Sequence, residues 1–238
     1  MKANKRLIVA LDCSNMDQMK KLVDELGDTV HYYKVGMELF YSVGQQTIEL
    51  LRQAGKEVFL DLKLHDIPNT VSRAAAVLTG IGVSMLNVHA SGGISMMKAA
   101  ALAVAQAAEF ASLERPKLIA VTVLTSMDET EWRCLGYNTS VAGQALHLAR
   151  LAAEAGLDGV VASPQEAEAI RAECGPEFLI VTPGIRPVGS ASNDQSRIAT
   201  PAGALRAGAS HLVIGRPITG ASDPRAAAMA ILREMEER

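Results

Sequence analysis

Short apolar runs alternate with longer amphipathic stretches along the whole chain. The runs are rich in Val, Ile and Leu and nearly continuous, which is typical of parallel strands covered on both faces. The stretches between them are rich in Ala, Leu and Glu, which is typical of helices. The pattern predicts eight β-strands, at Leu7–Leu11, Val30–Val35, Glu57–Leu62, Met85–Val88, Leu118–Val123, Gly159–Ala162, Phe178–Thr182 and His211–Ile214.

Capping residues and prolines mark where the helices between these strands begin. Ser14 and Asp17 can cap the first helix, because their side-chain oxygens can accept hydrogen bonds from its free N–H groups. Pro68 and the pair Ser163-Pro164 each predict the start of a later helix, because proline leaves no N–H group unbonded there. Gly27 lies where the first helix should end.

Eight strand–helix units in 238 residues favour a closed barrel over an open sheet. The first turn, Asp12-Cys13-Ser14, lacks the glycine-rich loop that binds dinucleotides in open doubly wound sheets, which remain the alternative. No linker or low-complexity segment interrupts the pattern. We therefore predict an α/β protein, a single-domain (β/α)₈ TIM barrel over residues 1–238.

Composition narrows the classes of function. The chain has 23 Lys and Arg against 26 Asp and Glu, and this net charge of −3 argues against a basic nucleic-acid-binding face. No apolar run reaches the roughly 18 residues that a membrane span needs, and the N-terminal run is too short for a signal peptide. The 3 cysteines are widely separated and are typical of thiols in a reducing compartment. We expect a cytoplasmic protein that binds neither nucleic acid nor membrane.

Polar residues follow most of the predicted strands. In this fold the carboxyl ends of the strands form one mouth, where the chemistry takes place. The residues concerned are Asp12, Lys34, Asp61, Lys63, His89, Thr125, Ser126, Arg186 and Arg216. We predict an active site there, with the alternative that Asp12 and Lys34 only form a structural pair. His89 could equally contact substrate or be a structural histidine.

The third predicted strand carries the densest cluster of charge. Asp61 and Lys63 are two residues apart and therefore point to the same side of a strand, and Lys34 lies on the neighbouring strand. With Asp66 further on, they form a row of alternating charge in which each group keeps its neighbours ionised. Such a row can hold an ammonium group against a carbon that becomes negative. The alternative is an inert ladder of buried ion pairs.

A phosphate site is predicted at the last two strands. Gly215 allows close approach of the backbone to a ligand, and the Arg216 guanidinium can bind a phosphate through two hydrogen bonds. The long segment between Pro183 and Thr200 is either a lid over the phosphate, with Gln195 as a donor, or a surface insert. No zinc-binding spacing is present, and a magnesium ion on Asp12, Glu38 and Asp61 is the less favoured reading.

The run Asp61-x-Lys63-x-x-Asp66-Ile67-Pro68-x-Thr70 resembles the signature of the orotidine 5′-phosphate decarboxylase family, of the bacterial type. Blocks around Asp12, Lys34, Thr125, Arg186 and Arg216 resemble the other blocks of the family in the same order, so that the resemblance spans about Leu7 to Pro224. Sugar-phosphate decarboxylases of the same barrel group share the D-x-K-x-x-D core. The Ile-Pro-x-Thr extension and the two arginines make the resemblance specific.

The resemblance implies decarboxylation of orotidine 5′-monophosphate to uridine 5′-monophosphate in pyrimidine biosynthesis, without a cofactor or metal. It implies that Lys63 protonates the carbon that loses carbon dioxide, that Asp61 lies against the departing carboxylate, and that Lys34 orders both. Asp12 and Lys34 would meet the ribose and Thr125 the base.

The resemblance also implies a homodimer whose partner subunit lends residues to each site. The implied substrate-binding residues are Asp12, Lys34, Asp61, Lys63, Asp66, Ile67, Thr70, Thr125, Arg186, Gln195, Gly215 and Arg216, with Asp66, Ile67 and Thr70 coming from the partner. Two alternatives stay open, a magnesium-dependent decarboxylase or epimerase of a keto-sugar phosphate, and a non-catalytic protein that binds a phosphate ligand. The charge row argues against the second, because binding alone does not require it.

Overall fold

A computed structural model describes residues 3–187 and 197–236. Their strands pair in parallel and in chain order, and β8 closes onto β1 to form an eight-stranded barrel. The strands are β1 Leu7–Leu11, β2 Tyr32–Gly36, β3 Glu57–Leu64, β4 Met85–His89, β5 Lys117–Val121, β6 Gly159–Val161, β7 Leu179–Thr182 and β8 His211–Ile214. The predicted (β/α)₈ TIM barrel is confirmed, and the open sheet is excluded.

Helices follow the strands and cover the outside of the barrel. They are α1 Ala3–Arg6, α2 Met16–Leu26, α3 Met37–Val43, α4 Gln46–Gln53, α5 Pro68–Gly80, α6 Ile94–Ala111, α7 Glu129–Cys134, α8 Val141–Glu154, α9 Ala167–Cys174, α10 Pro201–Arg206, α11 Arg216–Thr219 and α12 Pro224–Glu236, with 3₁₀ turns at Gly27–Thr29 and Ala90–Gly92.

All eight predicted strands exist; β1 and β8 have the predicted ends, and the other six have shifted ends. β2 begins at Tyr32 rather than Val30, and β5 ends at Val121 rather than Val123. β3 continues beyond Leu62 to Leu64, because its last residue still pairs with β4 after an irregularity in the register.

Two predicted helix starts are wrong, because side chains nearby provide the hydrogen bonds instead. Asn15, rather than Ser14 or Asp17, caps α2 by accepting a hydrogen bond of 2.9 Å from the backbone N–H of Gln18. The pair Ser163-Pro164 begins a turn, and α9 starts only at Ala167. Pro68 begins α5 as predicted.

The core has two parts, one on each side of the strands. One layer of large side chains from six strands fills the barrel interior: Ile8, Tyr32, Phe59, Met85, Ile119 and Val181. The larger part lies between the barrel and the helices. Two residues further along their strands than Tyr32, Phe59 and Met85 come Lys34, Asp61 and Asn87, so the polar layer lies directly above this interior layer.

Helix α6 is long and apolar enough to cross a membrane, as judged by length and composition alone, and is the one such helix in the part of the chain described. The expectation that no uninterrupted apolar run reaches this length still holds, because four polar residues interrupt α6. The helix meets the membrane criterion because its many alanines keep the mean hydropathy high despite polar residues such as Lys98 and Glu109. Met96, Met97 and Val104 are buried in the barrel core, as in a covering helix.

Candidate active site

Four alternating charges meet at the carboxyl ends of β1, β2 and β3. Lys63 Nζ donates a hydrogen bond of 2.6 Å to Asp61 Oδ1. Lys34 Nζ lies 3.6 Å from Asp61 Oδ2 and donates to Asp12 Oδ1 at 3.1 Å. The structure therefore brings Asp12, Lys34, Asp61 and Lys63 into one row, with each carboxylate against an ammonium group. We call these four residues the charge row.

Mutual attraction keeps the centre of the charge row ionised despite its burial. Burial alone would raise the pKa of Asp61, but Lys34, Lys63 and the hydrogen bonds to its carboxylate outweigh it, so this pKa lies below its ordinary value. Burial alone would likewise lower the pKa of Lys34, but Asp61 and Asp12 outweigh it and raise this pKa. Both groups are therefore charged at neutral pH, in surroundings where charges interact more strongly than in water.

Gly36 makes room for the charge row. A Cβ atom at this position would lie 3.0 Å from Lys34 Nζ and 3.8 Å from Asp12 Oδ1. Any larger residue would therefore press on the ammonium group that links the two carboxylates. Sequence reasoning missed this role, although the position of Gly36 directly after a predicted strand was a signal for close approach.

Asn87 is a second residue of the site that sequence reasoning missed. Its side-chain amide donates a hydrogen bond of 2.7 Å to Asp61 Oδ1 and accepts one of 2.8 Å from the backbone N–H of Lys63. Asn87 is only 1% exposed, at an interior position of β4. Its position in the predicted strand Met85–Val88, which His89 follows, was the only available signal.

Asp66 does not join the charge row of its own chain. It lies on the exposed turn between β3 and α5, and its carboxylate accepts a hydrogen bond of 2.6 Å from the backbone N–H of Ile67. None of the salt bridges within the described segments includes Asp66. The row that the sequence extended to Asp66 therefore ends at Lys63 within one subunit, because the chain leaves the barrel mouth after β3. Ile67 and Thr70 are also exposed.

Two arginines and a glycine lie at the other side of the mouth. Arg186 is buried and donates from Nη1 to the carbonyl oxygen of Ile185 at 2.9 Å. Burial, and then the nearby charge of Arg216, lowers the pKa of Arg186, as expected where two guanidinium groups share a region. A Cβ atom at Gly215 would lie 3.3 Å from Asp12 Oδ2, so this glycine joins the arginine side of the mouth to the charge row. Gln195 and most of the predicted lid, residues 188–196, lie outside the described residues.

A buried ion pair ties three loops of the mouth together. Arg197 Nη1 donates to Glu166 Oε1, and Arg197 Nη2 donates to the carbonyl oxygen of Leu124 at 3.0 Å. The other oxygen of Glu166 accepts from the backbone N–H of Ser163 at 3.0 Å. Thr125, the predicted contact to the base, directly follows Leu124 and is itself buried. Sequence reasoning missed this pair, because its members are distant in the chain.

Two histidines border the charge row, and no metal cluster does. The rings of His65 and His89 have centroids 5.3 Å apart, and burial followed by the charges of His65 and Lys63 lowers the pKa of His89. Within residues 3–187 and 197–236, no three His, Cys, Asp or Glu side chains form a group that could hold a metal ion, so Asp12, Glu38 and Asp61 do not gather into one.

Comparisons with known proteins identify one family over almost the whole chain. The family model described as "Orotidine 5'-phosphate decarboxylase / HUMPS family" matches residues 5–231. The orotidine 5′-phosphate decarboxylase of Moorella thermoacetica is 54% identical over 237 residues, which cover 99% of this chain and 94% of the relative. The enzyme of the same name from Trichlorobacter lovleyi is 49% identical over 233 residues, 98% of this chain and 96% of the relative.

Two solved structures match the fold of this protein over almost the whole chain. The crystal structure of orotidine 5′-phosphate decarboxylase from Lactobacillus acidophilus matches with a TM-score of 0.84 and 44% identity, over 96% of this chain and 98% of that one. The corresponding structure from Pyrococcus horikoshii matches with a TM-score of 0.75 and 25% identity, over 98% of this chain and 100% of that one.

Proposed function

The chain belongs to the orotidine 5′-phosphate decarboxylase / HUMPS family, and we propose that it is a carboxy-lyase that converts orotidine 5′-monophosphate to uridine 5′-monophosphate in pyrimidine biosynthesis. The single observation that carries this proposal is the charge row, in which Lys63 lies 2.6 Å from the buried carboxylate of Asp61. A protein that only bound a phosphate ligand would not need this arrangement, since buried charges are costly.

The reaction needs fixed charge rather than an electron sink. The bond between the pyrimidine ring and its carboxylate breaks, and its electron pair stays on the ring carbon, in an orbital that the π system cannot delocalise. The Lys63 ammonium group stabilises this carbanion and then transfers its proton to it, while carbon dioxide leaves. Because the row is already oriented by its own ion pairs, little reorganisation is needed as charge develops.

Asp61 and Lys34 have different parts in this mechanism. The Asp61 carboxylate lies against the substrate carboxylate, which disfavours the charged reactant relative to neutral carbon dioxide. Lys34 orients the Asp61 carboxylate through its second oxygen. With Asp12, Lys34 also binds the ribose hydroxyl groups. This division is supported by the two oxygens of Asp61, one facing each lysine.

The remainder of the substrate binds across the mouth. Arg186, Arg216 and the backbone of Gly215 bind the phosphate, and Gln195 adds a donor. Thr125 contacts the base. The support for this assignment is that the two guanidinium groups lie close enough for the charge of Arg216 to lower the pKa of Arg186, and an anion bound beside both would be attracted to each.

We further propose a homodimer in which each subunit completes the site of the other. Asp66, Ile67 and Thr70 of one chain would contact the substrate of its partner. This proposal is supported by the exposure of all three residues and by the hydrogen bond that the Asp66 carboxylate accepts from the backbone N–H of Ile67, while Lys63 of the same chain pairs with Asp61. A two-fold interface makes such an exchange reciprocal.

Mixing two inactive variants tests the shared site. Lys63→Ala and Asp66→Ala subunits that exchange at random should form about half hybrids, each with one unaltered site, so about a quarter of the wild-type activity should return. Each variant mixed with itself is the control. If mixing restores no activity, both residues act within one chain.

The proposed enzyme uses no cofactor or metal and works in the cytoplasm. Its three cysteines are unpaired within the described structure, in keeping with a reducing compartment. The lack of a metal requirement would separate it from the magnesium-dependent decarboxylases and epimerases that share the D-x-K-x-x-D core.

Ultraviolet absorbance tests the proposed function directly. Orotidine 5′-monophosphate is incubated with the purified protein in the presence of EDTA, and its absorbance is followed against time. We expect the substrate spectrum to change to that of uridine 5′-monophosphate, with no effect of EDTA. An unchanged spectrum would contradict the proposed activity, and activity that EDTA abolishes would favour the magnesium-dependent class.

A further inference from the structure

The two catalytic residues of β3 lie in an irregular part of the strand. The register pairs Leu60 with Leu86 and Leu64 with Val88, so β3 passes through more residues than β4 over the same stretch. Asp61 and Lys63 lie within this bulge, and Lys63 has a φ of 53°, a left-handed conformation that side chains other than glycine rarely adopt. Pairing with β4 therefore does not hold these two residues in place, although Asp61 still pairs with Gly36 of β2 on the other side.

Asn87 lies on β4 between the two paired residues, opposite the bulge. Its amide makes two short hydrogen bonds, one to the carboxylate of Asp61 and one from the backbone N–H of Lys63. An amide group is planar, so its donor and acceptor are fixed relative to each other. One rigid group therefore sets both the orientation of the Asp61 carboxylate and the position of the Lys63 backbone.

The surroundings argue against a passive role for Asn87. The residue is almost completely buried, one step above the apolar interior layer that includes Met85 and Phe59. A buried amide is unfavourable unless its hydrogen bonds are made, and an apolar side chain would fill this space without that cost. Both bonds of Asn87 are made, and both go to members of the charge row.

We propose that Asn87 is a positioning residue of the decarboxylase site, which holds the bulge of β3 in the one geometry that directs Asp61 and Lys63 at the substrate together. The proposal rests on the proposed function for the reaction that it affects. Asn87 touches no reacting atom and acts through these two residues.

Loss of this amide should affect the chemical step far more than binding. The hydrogen bonds of the Asn87 side chain go to Asp61 and Lys63 and not to the groups proposed to hold the phosphate and ribose, so Arg186, Arg216 and Asp12 should keep their positions. Lys63 and Asp61 lose their common support, and a displacement of about 1 Å at reacting groups costs on the order of 10²-fold in rate. We therefore expect Asn87→Ala to lower kcat on the order of 10²-fold and to change KM less than about threefold.

The charge state of Asp61 provides a second readout. The charged and titratable groups facing this carboxylate are Lys34 from β2, Lys63 from β3 itself and His89 from β4. Asn87 adds a neutral donor, whose hydrogen bond favours the ionised carboxylate. Removing the donor should raise the pKa of Asp61, and Asn87→Asp should raise it further by placing a second carboxylate beside it.

The experiment compares Asn87→Ala and Asn87→Asp with the wild type and with Thr79→Val. Thr79 is also buried, and its hydroxyl donates to the carbonyl oxygen of Ala75 within α5, so this control loses a buried hydrogen bond outside the site. Steady-state kinetics give kcat and KM, calorimetry gives the affinity for uridine 5′-monophosphate, and carbon-13 NMR of labelled Asp61 gives its titration. If Asn87→Ala does not fold, Asn87→Ser, whose hydroxyl cannot span both groups, replaces it.

The proposal predicts a large fall in kcat with nearly unchanged product affinity, together with an upward shift of the Asp61 titration in the order wild type, Ala, Asp. Thr79→Val should change neither. Equal effects on kcat and product affinity, or an unmoved Asp61 titration, would overturn it. A wild type that does not act on orotidine 5′-monophosphate would instead refute the proposed function, and the NMR titration would still decide whether Asn87 controls Asp61.

Discussion

Each charged side chain in the charge row has a neighbour of opposite charge. Asp61 faces Lys34 through one oxygen and Lys63 through the other, and Lys34 also faces Asp12. Removing one member of such a buried set leaves its partner uncompensated, which costs more than the pair contributed. Substitutions within the charge row therefore change several groups together, and residues outside it separate binding from chemistry more cleanly.

Arg216 is such a residue. If it holds a phosphate that is remote from the reacting carbon, its binding energy serves to assemble the site around the substrate. Arg216→Ala should lower kcat/KM by a factor on the order of 10². This factor corresponds to a loss of about 3 kcal/mol of transition-state stabilisation, as expected for loss of a charged hydrogen-bonded anchor. Kinetics on the variant check this.

Arg206→Ala is the matched control, since this arginine is exposed at the end of α10. It should leave kcat/KM unchanged. The account of Arg216 is wrong if orotidine without its phosphate reacts as well as the nucleotide does.

Alternation along a strand predicted that Lys34, Asp61 and Lys63 lie together, and they do, although the bulge at Lys63 interrupts that alternation. Their roles in catalysis stay predictions. Asn87 and Gly36 could not be found in the same way. The contacts of Asn87 depend on the register between β3 and β4 and on a bulge, neither of which the sequence specifies.

Among the strands and helices, the features that could be predicted are again those with a local sequence signal. All eight strands follow from continuous apolar runs, and α5 begins at Pro68 as predicted. The start of α9 was misplaced, because the carboxylate of Glu166 bonds back to the N–H of Ser163 and stabilises a turn there. The same carboxylate pairs with Arg197, a contact between distant segments that no local pattern encodes.

This buried pair predicts a measurable loss of stability. Arg197→Met leaves the Glu166 carboxylate, whose side chain is only 4% exposed, without its partner. Unfolding in urea should show a free energy of unfolding lower by about 3–5 kcal/mol than that of the wild type.

The double variant Glu166→Gln with Arg197→Met is the control, because it also removes the buried charge. It should recover part of the lost stability. Equal stability of Arg197→Met and the wild type would show that the pair does not hold the mouth loops together.

In the molecule as a whole, buried ionisable groups have different surroundings at the two ends of the barrel. At the carboxyl ends of the strands, the buried groups of the charge row stay ionised because each lies against a group of opposite charge. At the other end, His211 at the start of β8 is 5% exposed and packs edge-on against Tyr32, with ring centroids 6.0 Å apart. Burial, and then the charge of Arg6, lowers the pKa of His211 to about 4.

This histidine should make the fold less stable in mild acid. Its pKa is about 6.5 in the unfolded chain, so between this pH and about 4 the unfolded state binds the proton and the folded state does not. The associated stability is fully present above pH about 6.5 and is lost as the pH falls toward about 4. Urea unfolding at pH 7 and pH 5 should show a loss of about 2 kcal/mol in the wild type that is missing in His211→Asn.

His147→Asn provides the comparison, because His147 is exposed on α8. This variant should lose as much stability between the two pH values as the wild type does. If His211→Asn shows the full wild-type loss, His211 is protonated in the folded protein and its burial does not control the acid sensitivity.

The proton donor is tested most directly by turnover of Lys63→Ala at saturating orotidine 5′-monophosphate, with the affinity for uridine 5′-monophosphate measured by calorimetry on the same sample. General acids contribute about 10²–10⁴-fold to a reaction, and in the proposed mechanism Lys63 also stabilises the carbanion, so turnover should fall by at least about 10²-fold. Product affinity should remain measurable, because Arg186, Arg216 and Asp12 are unchanged. Near-normal turnover would contradict the assignment and would place the donor elsewhere, with Lys34 as the first candidate.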